Sequence, residues 1–526
     1  MQRATRRGFL AAVTTAAASL GLTLLAAPVA GGEAALSNLA VTTHDLGSLG
    51  GRWGRAEAVS GSVVVGQAGT ASGDYHAFAY DLAADEPVIR DLGTLGGKLS
   101  SATDVDGSIV VGWAETASGR HAFAYDLAAD EPVMRDLGTL GGHNSEAVAV
   151  EGGVVVGWAE TEPSGRRAFA YDLADDEPVM QDLGTLGGPY SAASAVDGDV
   201  VVGTASTASD PTDWKGHAFA YDLGAAEPAM TDLGTLGGRY SGASAVDGNL
   251  VVGWSGAKGR HAFVYDLQAP EPAMRNLGTL DGDTTSEAAA VDRGVVVGTS
   301  FVAGSLPKTA FAVDLRTPQA EMQDFSTLGD VRSWARDVSA DIVIGDWLRE
   351  WGNPSAYHAF AHDLGGHQPR SLVLGGWRGS WATDIDGDVV VGSTIVDGAG
   401  TQRPTAWVLQ ETGQPLFAFH RSEHQVKEGV GRAAIRVERY GSTDRGVTVR
   451  YRTRSASATA GKDFVSTSGE LRFAAGVTSR SFTLKVLNDR RAEKNEDLVL
   501  TLSRPSAPAQ LGSPSWTEIR ITKNDR

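Results

Sequence analysis

The sequence predicts an all-β protein of two folding units, an eight-bladed β-propeller followed by a β-sandwich, with a seven-bladed ring as the alternative for the first unit. Three observations carry this. The phrase Asp91-Leu92-Gly93-Thr94-Leu95-Gly96-Gly97 returns at Asp136, Asp182 and Asp232, and weaker copies begin at Asp45, Asn276, Asp324 and Ser371. Eight starts, each about 44 to 50 residues after the last, mean one supersecondary unit copied in tandem. Each unit reads as four short strands with no helical period. After Leu409 the repeat stops and strict two-residue alternation takes over.

The unit from Asp91 to Arg135 shows the pattern. Ser101 to Val105 alternates small and apolar residues, as a half-buried strand does. Asp106-Gly107 is a two-residue turn signal, and Asp197-Gly198, Asp247-Gly248 and Asp386-Gly387 repeat it. Ile109 to Trp113 is apolar without a break, so it is buried on both faces. His121, Phe123 and Tyr125 share one side of the third strand, with mostly small residues opposite, which suits flat sheets stacked closely. Val133 to Leu137 is the fourth strand. The last unit has only three strands, ending with Pro404 to Leu409, while an orphan strand, Leu39 to Leu46, stands at the start. Pairing the two closes a ring and removes both sheet edges.

Composition narrows the chemistry. The chain has 526 residues, 42% hydrophobic, with 66 glycines and no cysteine. Disulfides, thiolate metal sites and thiol nucleophiles are excluded. Residues 36–410 hold 22 Lys and Arg against 50 Asp and Glu, and residues 411–526 hold 20 against 13. The acidic body repels phosphate backbones, so no nucleic-acid partner is expected.

The first 35 residues read as an export signal. Arg6-Arg7-Gly8-Phe9-Leu10 precedes an uncharged stretch rich in Ala, Thr and Leu, with small residues at Ala27, Ala30 and Ala34. The paired arginines resemble the twin-arginine signal, which implies secretion in the folded state without lasting membrane insertion. The domain boundaries expected are 1–35 for the signal, 36–410 for the propeller, 411–415 for a linker and 416–526 for the sandwich.

The phrases His-Ala-Phe-Ala-Tyr-Asp and Asp-Leu-Gly-Thr-Leu-Gly-Gly, between Thr42 and Leu409, resemble the bacterial extracellular HAF-repeat family. The resemblance implies a secreted repeat protein. His76, His121, His217, His261 and His358 occupy one repeat position, with Arg167, Thr309 and Thr405 in the other units. A residue copied this often is a packing device, because an active site breaks symmetry. Asp81, Asp126, Asp172, Asp222, Asp266, Asp314 and Asp363 end the same strand and are expected to cap the turn after it.

Function belongs where copies differ. Two loops vary. One follows the Gly-Gly pair (Arg52-Trp53, Lys98-Leu99, His143-Asn144, Pro189-Tyr190, Arg239-Tyr240, Trp377-Arg378). The other precedes the His-Ala-Phe strand and holds Asp213-Trp214-Lys215 or Arg349-Glu350-Trp351. In an up-and-down blade both open on one face, and their aromatic and basic residues suit an extracellular glycan or protein. The enzyme alternative is a secreted glycoside hydrolase or lyase acting on extracellular polysaccharide. It would use Asp324, Asp330, Asp337 and Glu350 of the seventh unit, beside Trp334 and Trp351.

In the C-terminal segment, Ala434 to Arg439, Val447 to Arg452, Ser481 to Val486 and Thr517 to Ile521 alternate strictly, as sandwich strands do. Glu428-Gly429, Thr459 to Phe464, Ser468 to Phe473, Asn488-Asp489 with Glu493 and Glu496, and Asn524-Asp525 resemble the Calx-beta domain. The resemblance implies an immunoglobulin-like sandwich holding Ca2+ on loops at one end. Its ligands would be Glu428, Asp463, Asp489, Glu493, Glu496 and Asp525. Calcium needs six to eight oxygens, which carboxylates from separate loops can supply. Asn488 and Asn524 stand where the family often has aspartate, so one ion is expected. The reading that follows is a secreted, non-enzymatic, calcium-binding recognition or adhesion protein, with calcium stiffening the sandwich and setting the attitude of the linker.

Overall fold

A computed structural model describes residues 39–522 except 164, 208–215, 257–258, 305–307, 325–331, 349–356, 365–370, 377, 412, 421–422 and 489–494. Ten sheets and no α-helix make up the described chain. The expected signal segment, residues 1–35, lies outside the described residues.

Eight four-stranded antiparallel sheets form the repeat region. Blade 1 runs through Gly50–Ser60, Val63–Thr70, Tyr75–Asp81 and Arg90–Gly93, and blades 2 to 7 repeat that order. In blade 2 the strands are Ser100–Asp106, Ile109–Glu115, Arg120–Asp126 and Arg135–Gly138. The fourth strand therefore starts later than Val133, which is exposed. Blade 8 takes Ser380–Asp386, Val389–Ile395 and Gln402–Glu411, and its outer strand is Leu39–Asp45 from the start of the repeats. The register sets Val41 opposite Leu409 and Thr43 opposite Trp407, so the orphan strand closes the ring. Each first strand packs against the first strand of the next blade, and Ser380–Asp386 packs against Gly50–Ser60. Eight blades are present.

The register corrects one alignment. Gly392 faces Thr405, as Gly66 faces Phe78. Thr405 thus holds the phenylalanine place, Arg403 the histidine place, and the fully buried Trp407 the place of Tyr80. Reading Thr405-Ala406-Trp407 as a His-Ala-Phe copy was two residues out of step, because the bulky ring sits one pleat further along the same face.

Burial explains the repeated phrases. Phe78, Phe123, Phe169, Phe219, Phe263, Phe311 and Phe360 have no exposed surface. Each packs between its own blade and its neighbour, as where Phe123 and Tyr125 of blade 2 lie on Ala58, Val65, Ala77 and Ala79 of blade 1. The glycine of Val-Val-Val-Gly is steric: a Cβ on Gly112 would lie 2.0 Å from the Ser101 carbonyl oxygen.

Two sets of hydrogen bonds join the blades. A buried serine at the start of each first strand in blades 2 to 8 accepts the N–H of the preceding blade's third strand. Ser100 Oγ takes it from Ala77 at 2.8 Å and donates to the Gly93 carbonyl. Ser145, Ser191, Ser241, Ser286, Ser333 and Ser380 accept in the same way. At the other end of these strands, each side chain before the tight turn accepts a backbone N–H from the next blade's turn. The series runs Ser60 to Gly107, Asp106 to Gly152, Glu151 to Gly198, Asp197 to Gly248, Asp247 to Arg293, Asp292 to Ala340, Ser339 to Gly387 and Asp386 back to Gly61. The Asp-Gly phrase is thus a turn and an inter-blade tie at once.

The remaining strands form a sandwich. One sheet orders Ser479–Lys485, Arg432–Tyr440, Leu416–Phe419 and Gln510–Leu511. The other orders Glu423–Lys427, Trp516–Thr522, Glu496–Ser503, Val447–Ser455 and Ser468–Phe473. Phe417, Ile435, Val449, Phe464, Phe473 and Leu500 are among the residues filling the space between them. The sandwich rests on blade 7. Trp516 and Val499 join one buried cluster with Trp347, Phe360 and Val373. Trp516 Nε1 donates to the Gly375 carbonyl at 3.2 Å, and Ser513 Oγ to that of Val373 at 2.6 Å. The His358 ring lies between Trp347 and Trp516, with centroids 4.6 and 4.9 Å away.

Candidate functional site

Main-chain pairing gathers one set of carboxylates at one end of the sandwich. Lys427 pairs with Thr522, which places Glu428 in the short turn just past that strand end. Glu496 opens its strand opposite Ile521. Asp463 lies in a loop tied to its neighbours: Leu487 N donates to the Asp463 carbonyl, Val486 N to that of Gly431, and Ala458 N to that of Asp497. The Asp463 carboxylate itself accepts the Thr459 N–H at 2.6 Å. Three of the six expected ligands thus share one end of the domain. Asp489, Glu493 and Asp525 lie outside the described residues, and among the described residues no three acidic or imidazole groups close on a common point. The donor chemistry, hard oxygens on separate loops, fits calcium.

The same strands bear on the expected role of the ion. Trp516 docks on blade 7, and Thr522 marks the end of the same strand at which the three carboxylates gather. Seven residues of strand separate the two by about 20 Å. The sandwich is seated on blade 7 through the Trp516 contact. The same contact accounts for part of what makes the seventh unit atypical, since Trp347 and Val373 serve docking.

On the propeller, both variable loops open on one face. Leu99 bridges Tyr75, Tyr190 bridges Arg166, and Gly97 N donates to the Glu115 carbonyl. The loops after the Gly-Gly pairs of blades 2 and 4 therefore meet the loop between strands two and three of the preceding blade, and in blade 2 also that of its own blade. Trp53 packs edge-on against Tyr75 at 5.4 Å. Trp214, Trp351 and Trp377 lie outside the described residues.

A further asymmetry sits on the innermost strands, where sequence reasoning did not look. One repeat position carries Arg55, Ser101, Glu146, Ala192, Gly242, Glu287, Trp334 and Trp381 around the ring. Blades 7 and 8 there present Trp334 and Trp381 on either side of Tyr357, with centroids 6.2 and 5.7 Å from it. Aligning the first strands on the Asp-Gly turn would have exposed this pattern.

Three of the five copied histidines are clips. His76, His121 and His217 each place Nδ1 2.9 Å from an oxygen of Asp91, Asp136 or Asp232 on the adjacent fourth strand. The same aspartates accept the N–H of Gly93, Gly138 and Gly234. In blade 5 the partner is Asn276, and His261 Nδ1 is buried with no partner. The strand-ending aspartates cap their turns as expected: Asp81, Asp126, Asp172, Asp222, Asp266 and Asp314 each accept the N–H two residues on.

Of the carboxylates named for the enzyme alternative, the two described, Asp324 and Asp337, do not come together. Asp324 is on the outermost strand of blade 7 and Asp337 on the innermost, while Asp330, Glu350 and Trp351 lie outside the described residues. Asp337 instead shares a hydrogen bond with Asp384 of blade 8, and burial together with that pairing holds its carboxyl well above the usual carboxylate range. Each also accepts a neighbouring blade's N–H: Asp337 from Ile385 and Asp384 from Val59. A directly hydrogen-bonded pair is closer than the roughly 5 to 9.5 Å that glycosidic hydrolysis uses. Asp104 holds the same repeat position and accepts from Val150 and Val105. Burial, with Asp384 and Asp106 adding, raises its carboxyl to about 7 against those hydrogen bonds.

Comparison with known proteins agrees with the sandwich. Residues 410–525 match the Calx-beta domain family, and the C-terminal unit is a Calx-beta domain. Over 117 residues the chain is 31% identical to the sodium/calcium exchanger Calx of Drosophila melanogaster, and over 125 residues 29% identical to sodium/calcium exchanger 3 of Mus musculus. Each match takes in 22% of this chain and only 12% and 14% of those proteins. The apo-form Calx CBD1 domain is 30% identical, over 21% of this chain and 99% of that one, with a TM-score of 0.21. The β-propeller domain of the Trilobed protease from Pyrococcus furiosus covers 68% of this chain and 94% of its own at 10% identity and a TM-score of 0.38.

Proposed function

We propose that this is an exported, non-enzymatic recognition or adhesion protein that binds calcium on its Calx-beta domain and its partner, an extracellular glycan or protein, on the variable face of the propeller. The observation that carries the reading is the single face onto which the two divergent loop sets open, while the opposite ends of the same blades are locked by a repeated turn bond. A constant face and a divergent face on one ring are what a scaffold for recognition requires. For calcium, support comes from the family match and from three carboxylates at one sandwich end. Glu428, Asp463 and Glu496 would hold the ion, and a bound cation would relieve repulsion among them, so calcium would stiffen that end. Export rests on the basic, then apolar, N-terminal segment.

The test is calorimetric titration of the mature chain with CaCl2, followed by glycan- and protein-array binding with and without EGTA. Heat of binding at or below millimolar calcium and a raised melting temperature are expected, both lost in Glu428→Gln/Asp463→Asn. Absence of heat, or an intact response in the double variant, would overturn the calcium assignment. A blank array in both conditions would overturn recognition.

A further inference from the structure

On the variable face, a cleft of about 630 Å3 opens between blades 5 and 6, lined by Tyr240, Trp254, Arg260, Thr285, Glu287 and Phe301. That volume lies in the range of small-molecule sites. Three features make it a built site. Arg260 stacks on Trp254, 4.1 Å from the ring centroid. Its Nη1 donates to Glu287 Oε1 at 2.8 Å, so a fixed donor fork and a fixed acceptor stand side by side. Thr285 is 3% exposed, and its Oγ1 is buried with no hydrogen-bond partner. A buried hydroxyl left without a partner is destabilising.

The repeat supplies an internal comparison. Trp113, Arg120 and Glu146 form the same trio between blades 2 and 3, with Arg120 4.7 Å from the Trp113 centroid and 3.1 Å from Glu146. There the position of Thr285 is Asn144, and it is fully engaged. Its Oδ1 accepts the Arg120 N–H and its Nδ2 donates to Glu160. Between blades 5 and 6 the equivalent residue, Thr285, lines the cleft while its Oγ1 stays buried without a hydrogen-bond partner.

We infer that this cleft binds a neutral pyranose residue of an extracellular glycan. Among the described residues lining the cleft, the charges are Arg260 and Glu287, which offset each other, so a charged ligand gains no net partner from them. Adjacent sugar hydroxyls match a fork that donates beside a carboxylate that accepts, and the apolar ring face suits Tyr240 and Phe301. The inference rests on the recognition reading and names its ligand class.

The test is saturation-transfer NMR and tryptophan fluorescence on the full chain, with D-glucose, D-galactose, D-mannose and their β-linked disaccharides as probes. D-galacturonate and a neutral tetrapeptide serve as comparisons. At least one neutral sugar should bind, with affinity falling tenfold or more in Glu287→Gln and several-fold in Thr285→Val. Thr285→Val should melt no lower than the parent, since it removes an unsatisfied hydroxyl. Glu146→Gln, at the matching trio, should leave binding unchanged. Failure of every neutral sugar, preference for galacturonate or the peptide, or binding indifferent to Glu287→Gln and Thr285→Val would each overturn the inference. Sugar binding that survives these variants but is lost in Trp53→Ala or Trp381→Ala would overturn the cleft while leaving recognition by the face intact.

Discussion

Gly54 faces Pro404 at the junction that closes the ring, and a Cβ on Gly54 would lie 2.7 Å from the proline Cδ. At the other seven junctions a serine stands where Gly54 stands and accepts an N–H where Pro404 has none. Donor and acceptor have been dropped together, and the space is taken by the pyrrolidine ring.

This pairing predicts a coupled response. Gly54→Ser should cost about 1–3 kcal/mol through overpacking. Pro404→Ala should cost about 1–3 kcal/mol by leaving an N–H without an acceptor. The double variant should recover much of both losses. Urea unfolding of the four proteins checks this, and simple additivity of the two costs would count against it.

Blade 5 offers a repair. Asn276 leaves His261 Nδ1 buried and unpartnered, whereas Asp91, Asp136 and Asp232 satisfy the equivalent histidines. Asn276→Asp keeps an oxygen for the Gly278 N–H, which Asn276 Oδ1 now accepts at 2.8 Å. It should stabilise the protein by about 0.5–1.5 kcal/mol, read as an upward shift in melting temperature.

Asp104 sets a pH dependence. Its folded carboxyl titrates at about 7, and its ordinary value is 3.8. The unfolded chain therefore releases the proton first. The stability tied to this group is complete below about pH 4, falls as pH rises towards 7 and is level above that, with a slope of at most roughly 1.4 kcal/mol per pH unit. Asp104→Asn should flatten the decline between pH 4.5 and 7.5 measured by urea midpoints. An unchanged slope would contradict the assignment.

The docking of the sandwich is also testable. Trp516→Ala removes the indole from the blade 7 cluster and its bond to Gly375. About 3–5 kcal/mol of packing should be lost. Small-angle scattering should show a larger radius of gyration, and calorimetry should resolve separate transitions for the two units.

Much of the architecture was legible because each repeated phrase has one physical cause. The Phe of His-Ala-Phe fills a gap between blades, the strand-ending aspartates cap turns, and Leu39 to Leu46 supplies the missing strand. The sandwich strands were legible from alternation alone. The inter-blade serines were overlooked because a lone buried Ser sends no periodic signal, and its partner lies 23 residues back in a different strand. The misplaced Thr405 shows the limit of matching phrases, since only the strand register decides which residue faces Gly392. The pairing of Asp337 with Asp384 was hidden for a similar reason: it joins two blades, while Asp324, grouped with Asp337 by nearness in sequence, sits at the opposite edge of blade 7.

The absence of cysteine makes closure of the ring directly measurable. Thr42 faces Val408 across the closing pair of strands, and directly opposed antiparallel residues have the Cα separation that a disulfide needs. Thr42→Cys/Val408→Cys should oxidise within one chain to near completion and raise the unfolding midpoint. Failure to cross-link, or cross-links formed only between chains, would contradict a closed eight-bladed ring and with it the single recognition face.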